Sequence, residues 1–141
     1  MADTGNGASL TLSEDTNSYS VVSISPGGLS VESLDVSTLA SSSQMEYIPG
    51  DLADTPEVSA EILFEVGTGL PTVGSTHTIT VTFPVGPEQT TTTAATLAGT
   101  GFVTAVEYPE LVNNQVQRSN ITLKFNGGHD SGTAATFTAG S

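Results

Sequence analysis

The chain has 141 residues, room for one domain with a real core, and its 36% hydrophobic content is diluted by Thr, Ser and Gly rather than by helix formers. Fifteen acids stand against two bases, Arg118 and Lys124, for a formal net charge of −13. That balance excludes a groove that grips nucleic-acid phosphates, and the absence of cysteine excludes a disulfide framework or a thiolate metal site.

Residues 1–8 are polar and Gly-containing and read as a flexible N-terminal arm. They carry neither the basic start nor the apolar stretch of a signal peptide. No apolar run approaches the roughly 18 residues of a membrane helix. The expectation is a soluble product made in a bacterial-type host cytoplasm, with no membrane partner.

Ala8 to Ser13 places Leu10 and Leu12 on one side of a short strand. Tyr19 to Ser25 reads as a second strand, broken by Pro26-Gly27-Gly28. Leu29 to Val36 reads as a third. Residues 38–56 show no sustained period and carry turn chemistry at Pro49-Gly50-Asp51, so they read as a loop longer than the usual connection. The apolar residues in it, Met45, Tyr47, Ile48 and Leu52, argue against plain disorder and suit either a docking element or a loop packed on its own domain.

Glu57 to Val66 alternates clearly. Val58, Ala60, Ile62, Phe64 and Val66 lie on one face, and Glu57, Ser59, Glu61, Leu63 and Glu65 on the other. At about 3.3 Å per residue the outer carboxylates span about 26 Å, with neighbours about 13 Å apart. That is too wide for a general acid and base pair and suits an acidic stripe. Gly67 to Gly74 reads as a loop or a single helical turn. Thr76 to Phe83 alternates again, with His77, Ile79, Val81 and Phe83 opposite four threonines. Thr90 to Thr100 reads as a strand or a short helix near 94–97, ended by Gly99-Thr100-Gly101. Phe102 to Tyr108, Gln117 to Phe125 and a short Thr133 to Thr138 segment complete the strands. Short strands bounded by turns, without helical periodicity, define an all-β chain: a β-sandwich or partly closed barrel with a long loop and at most one short helix.

No catalytic constellation emerges. His77 and His129 are the only histidines, and neither has metal-ligand spacing. There is no nucleophile elbow, no phosphate-cradling glycine loop and no calcium loop around Asp51, Asp54 and Glu57. Asn120-Ile121-Thr122 matches a glycosylation sequon, but inside a predicted strand it reads as chance. The chain is read as a non-enzyme without cofactor or metal.

The order of segments carries a further signal. Leu29-Ser-Val-Glu-Ser-Leu-Asp-Val-Ser-Thr38 leads into a long segment closed by Tyr47-Ile-Pro-Gly50. Glu57 to Phe64, the Thr-rich strand to Phe83-Pro84, Gly101 to Val106 and Ser119 to Gly128 follow. Over roughly residues 20–128 this resembles the major tail tube proteins of long-tailed (siphovirus-type) bacteriophages. The resemblance implies one β-sandwich domain over 1–141 that self-assembles into hexameric rings stacked as a virion tail tube, a hollow conduit for DNA ejection. It implies that residues 38–56 reach the neighbouring ring or subunit, with Met45, Tyr47, Ile48 and Leu52 as candidate contacts, and that the tail at 129–141 adds contacts. Glu57, Glu61 and Glu65 become candidates for an acidic lumen past which DNA moves without specific binding. The implied partners are further copies, the tape measure protein, the tail terminator and the distal tail protein. The family's helix after the strand matching 57–66 has little room in Gly67 to Ser75, so a turn there or a helix moved to 90–98 is expected. The rival readings are another virion β-sandwich, such as a capsid decoration protein, and a carbohydrate-binding or pilin-like module. Three Tyr and no Trp speak against a lectin surface.

Overall fold

A computed structural model describes residues 7–13, 19–67, 69–86 and 93–140. Most of the 1–8 arm therefore lies outside the described residues. The chain is all-β, as the alternating segments imply. The strands are β1 (Ser9–Leu12), β2 (Ser20–Pro26), β3 (Ser30–Asp35), β4 (Tyr47–Asp54), β5 (Glu57–Leu63), β6 (Thr76–Phe83), β7 (Ala95–Glu107), β8 (Arg118–Phe125) and β9 (Thr136–Thr138). A three-residue 3-10 turn at His129–Ser131 is the helical piece among the described residues.

Seven strands form one antiparallel sheet in the order β1-β6-β7-β8-β5-β2, with β9 added beside β7. The two end strands, β1 and β2, come within 8 Å of each other, so the sheet curls almost fully round without closing into a barrel. Its concave face holds the core. Leu10, Leu12, Val58, Ala60, Ile79, Val81, Leu97, Val103, Ile121, Leu123 and Phe125 pack there as one cluster. The alternation read in the sequence is a direct imprint of this curl: β5 and β8 bury every second side chain, and β6 buries Ile79 and Val81 with His77 and Phe83 half-buried on the same face.

Two segments differ from the sequence reading. Gly99 and Gly101 do not end a strand; β7 runs through both for 13 residues. Both positions face inward. A Cβ on Gly99 would lie 2.9 Å from the Phe125 ring, and one on Gly101 would lie 2.6 Å from Cδ1 of Ile79. The glycines make the notch that these two side chains fill. Within the segment 90–98 considered for a helix, residues 95–98 are strand.

The second difference concerns residues 38–56, read as a loop. Tyr47–Asp54 is a strand, β4, paired antiparallel with β3 in a separate two-stranded sheet. Neither face of that sheet is buried, which is why no period marks it. Within the C-terminal tail at 129–141, the short strand read at Thr133 to Thr138 is present as β9 at Thr136–Thr138, built into the main sheet. Thr96, Leu97 and Ala98 of β7 pair with Thr138, Phe137 and Thr136, and the Phe137 ring meets Phe83 edge-on with centroids 5.7 Å apart.

Candidate assembly surface

The two-stranded sheet is an arm. β2 continues into β3 and β4 into β5, and both pairs are antiparallel. Pro26 opposes Val58 and Ser30 opposes Asp54, with three residues between on each leg, so the register passes through the neck without a slip. The arm is thus the outer half of one long hairpin whose inner half is welded into the main sheet. Six residues of β3 carry it about 20 Å past the neck at roughly 3.3 Å per residue. Neither β3 nor β4 has a substantial contact with any described element but the other.

The neck is narrow. The Gly27 N–H donates to the Glu57 carbonyl at 2.7 Å. Pro56 is buried and its carbonyl accepts from the N–H of Phe125, anchoring the return leg on β8. Along the arm, Glu32 alone stands opposite Gly50, Asp51 and Leu52, a bulge that bends the ribbon.

The tip, residues 36–46, is held by its own hydroxyls. The Val36 N–H donates to the Glu46 carbonyl at 2.9 Å, and the Glu46 N–H to the Ser37 hydroxyl at 2.7 Å. The Ser37 N–H donates to the Asp35 carboxylate at 2.8 Å. The Thr38 N–H donates to the Ser41 hydroxyl at 3.0 Å, and that hydroxyl donates to the Glu46 carboxylate at 3.2 Å. The Ser/Thr run at 37–43 supplies these short-range bonds. Its hydrogen bonds with Ser37 hold the Asp35 carboxyl below the usual aspartate range, the backbone N–H contributing most.

All four loop residues singled out in the sequence lie on this arm and face solvent. Met45 is 60% exposed, Tyr47 54%, Ile48 48% and Leu52 86%. Sequence reasoning missed their companions on the other strand: Val31, Leu34 and Val36 are also exposed. The signal that could have found them is a β-rich segment with apolar residues in both phases, whose faces cannot both turn to one core. The arm also carries Glu32, Asp35, Glu46, Asp51 and Asp54 with no Lys or Arg, a third of the chain's fifteen acids.

The proposed acidic stripe is less acidic than its sequence. Glu57 and Glu61 do lie on the outward face of β5. Glu65 lies beyond its end, where the Ser20 hydroxyl donates to its carboxylate at 3.4 Å. The chain's two bases stand beside them on β8: Lys124 opposes Glu57 in register, and Arg118 sits 3.5 Å from Glu61. Nearby, the Asn120 amide donates to Glu107 at 3.3 Å. This patch is a mixed-charge surface, and the excess negative charge lies largely elsewhere, on the arm above all.

His77 is structural in its contacts. Its ring lies 2.8 Å from the Ser75 hydroxyl and also hydrogen-bonds the Ser13 carbonyl, tying the end of β1 to the start of β6. Among the described residues no group of three or more His, Asp or Glu could hold a metal ion.

The fold has solved counterparts. One is a chain in the structure of the sheath/tube terminator, in the extended state, of an extracellular contractile injection system, PVC. It aligns over 99% of this chain and 98% of its own, with a TM-score of 0.69 and 12% identity. Another belongs to the sheath-tube complex of the same system, with a TM-score of 0.63, 12% identity, and coverage of 94% and 88%. At that identity the likeness is one of fold. No family model and no curated protein matches the sequence.

Proposed function

We propose that this chain is a structural subunit of a tail-like particle, and that its copies associate into hexameric rings that stack as a hollow tube for DNA ejection. The observation that carries this reading is the end-to-end correspondence with chains of an injection apparatus: nearly the whole of each chain aligns, not a shared sandwich motif alone. The exposed, internally ordered arm supports it, because a ribbon with exposed apolar residues and no substantial contact with any other described element fits an element that docks elsewhere. In this reading the chain is a component of the virion tail, and its other partners are the tape measure, terminator and distal tail proteins. It is not an enzyme. The outward face of β5 and β8 is offered as lumen lining, with Glu57 and Glu61 tempered by Lys124 and Arg118. A long-tailed phage tube fits the segment order. The solved counterparts come from a contractile system, so the tail type is part of the proposal.

The first structure named above includes a terminator, and its chain matches over more of its own length. That favours a second reading, in which the chain forms an end ring rather than the repeating tube. Negative-stain microscopy of the purified protein separates the two. Long tubes support the repeating subunit, isolated rings support the end ring, and a monomer at every concentration contradicts both.

A further inference from the structure

β8 and β9 are two lengths of one interrupted strand. Both run antiparallel to β7, β8 against Gly101 to Glu107 and β9 against Thr96 to Ala98. Between them, Thr100 of β7 meets both ends of an excursion. Its carbonyl accepts from the Asn126 N–H at 2.9 Å, and its N–H donates to the Thr133 carbonyl at 2.8 Å. Residues 126–133 therefore loop out opposite a single residue.

The loop opens on an Asn-Gly pair. The side-chain carbonyl of Asn126 accepts from the Gly128 N–H at 3.0 Å, which folds the side chain forward over the Gly127 peptide. The side-chain nitrogen donates to the His129 carbonyl at 3.4 Å. The Gly127 N–H has no hydrogen-bond partner among the described residues. Gly127 is exposed and left-handed, with no Cβ to shield its nitrogen.

We infer that Asn126 is a site of spontaneous self-modification. The Gly127 nitrogen, giving its proton to water, attacks Cγ of Asn126. The bond from Cγ to the side-chain nitrogen breaks, ammonia leaves, and a cyclic succinimide remains. Water then opens the ring at either carbonyl, leaving aspartate or isoaspartate. The Gly128 N–H already points at the oxygen on which negative charge grows during the attack, so the turn favours the step. Conversion acts on the junction of β8 and β9. A carboxylate oxygen replaces the nitrogen that donated to the His129 carbonyl, the same carbonyl that accepts from the Gly132 N–H at 3.1 Å. Isoaspartate also lengthens the main chain by a methylene between residues 126 and 127. β9, with every side chain exposed, depends on this loop for its register and loosens from β7.

The two bases make the test direct, because tryptic cleavage after Lys124 isolates residues 125–141, in which Asn126 is the sole asparagine. Asn6→Gln removes the chain's other Asn-Gly pair and serves as the background. This full chain is incubated in mildly alkaline buffer beside a synthetic peptide of residues 123–133, and deamidation is followed by mass spectrometry. On the scale of one hydrogen bond, the folded chain should convert about two- to tenfold faster than the peptide. Conversion no faster than in the peptide would overturn the site. Asn126→Gln, whose longer side chain closes a less favourable ring, should abolish the mass gain, and its persistence there would overturn the assignment. Converted chain, separated by anion exchange on its added charge, should exchange the amide hydrogens of residues 133–138 about tenfold faster, with β5 and β8 unchanged. Equal exchange in converted and unconverted chains would overturn the loosening of β9.

Discussion

The backbone N–H of Gly27 donates to the carbonyl of Glu57 at 2.7 Å, closing the neck where the arm leaves the main sheet. A Cβ at position 27 would lie 2.7 Å from that same oxygen and 2.9 Å from the Glu57 nitrogen. A glycine that looks in sequence like simple turn punctuation is thus the point where two legs of one hairpin touch. Gly27→Val should force the legs apart. The core cluster does not include the neck, so the expected loss of stability is about 1–3 kcal/mol, the usual range for overpacking. Assembly should suffer far more than stability. Chemical denaturation and light scattering on the same preparation check this, and a variant that assembles normally would contradict the neck's role.

Removing the arm is the complementary experiment. Because the register continues unbroken from Pro26–Val58 to Ser30–Asp54, residues 30–54 can be replaced by an Asn-Gly turn without disturbing β2 or β5. The shortened protein should retain its sheet spectrum and melt cooperatively, and should not form rings or tubes. Unfolding would show that the arm supports the fold, and normal tubes would remove its docking role.

The notch in β7 gives a stability prediction. A Cβ on Gly101 would lie 2.5 Å from the Lys124 carbonyl oxygen as well as against Ile79. Gly101→Ala should destabilise by about 1–3 kcal/mol through overpacking. Gly28→Ala meets nothing within 4 Å and should change stability by less than about 1 kcal/mol. Equal effects in thermal denaturation would contradict the notch.

The tip makes a pH prediction. Asp35 has its carboxyl lowered from 3.8 by hydrogen bonds from Ser37. A depressed carboxylate favours the ordered tip above the unfolded value, near 3.9, and that contribution is lost as pH falls through the lower folded value. The Asp35 carboxyl resonance should titrate below 3.8, and Ser37→Ala, which removes the smaller hydroxyl contribution and keeps the N–H bond, should raise the midpoint only part of the way. A midpoint at or above 3.8 in the unaltered protein would contradict the turn.

Charge makes a prediction about association. Five carboxylates on each arm have no nearby base, and Arg118 and Lys124 already stand beside Glu61 and Glu57. Bringing copies together therefore concentrates like charge, which salt screens over about 8–10 Å at physiological strength. Assembly should strengthen as NaCl rises from about 20 to about 200 mM, the reverse of a salt-bridged interface. Weakening with salt, followed by analytical ultracentrifugation, would indicate that a base-to-acid contact drives association.

Where one face of a strand is buried, the sequence was readable. Glu57–Leu63, Thr76–Phe83 and Arg118–Phe125 alternate because the concave core imposes a period of two. Tyr47–Asp54 escaped because its order comes from pairing with β3, with Pro49 and Gly50 inside it and water on both sides. The continuity of β7 escaped because Phe125 and Ile79, distant in sequence, decide what Gly99 and Gly101 do. The acidic stripe was half legible. The spacing of Glu57 and Glu61 was plain, but their basic neighbours come from β8, more than fifty residues away.

Self-assembly is tested most directly by negative-stain electron microscopy of the purified protein, concentrated at moderate salt. Rings of uniform diameter with a central hole, stacked into tubes, are expected. A population that stays monomeric across concentration and salt, with no ring in any field, would contradict it.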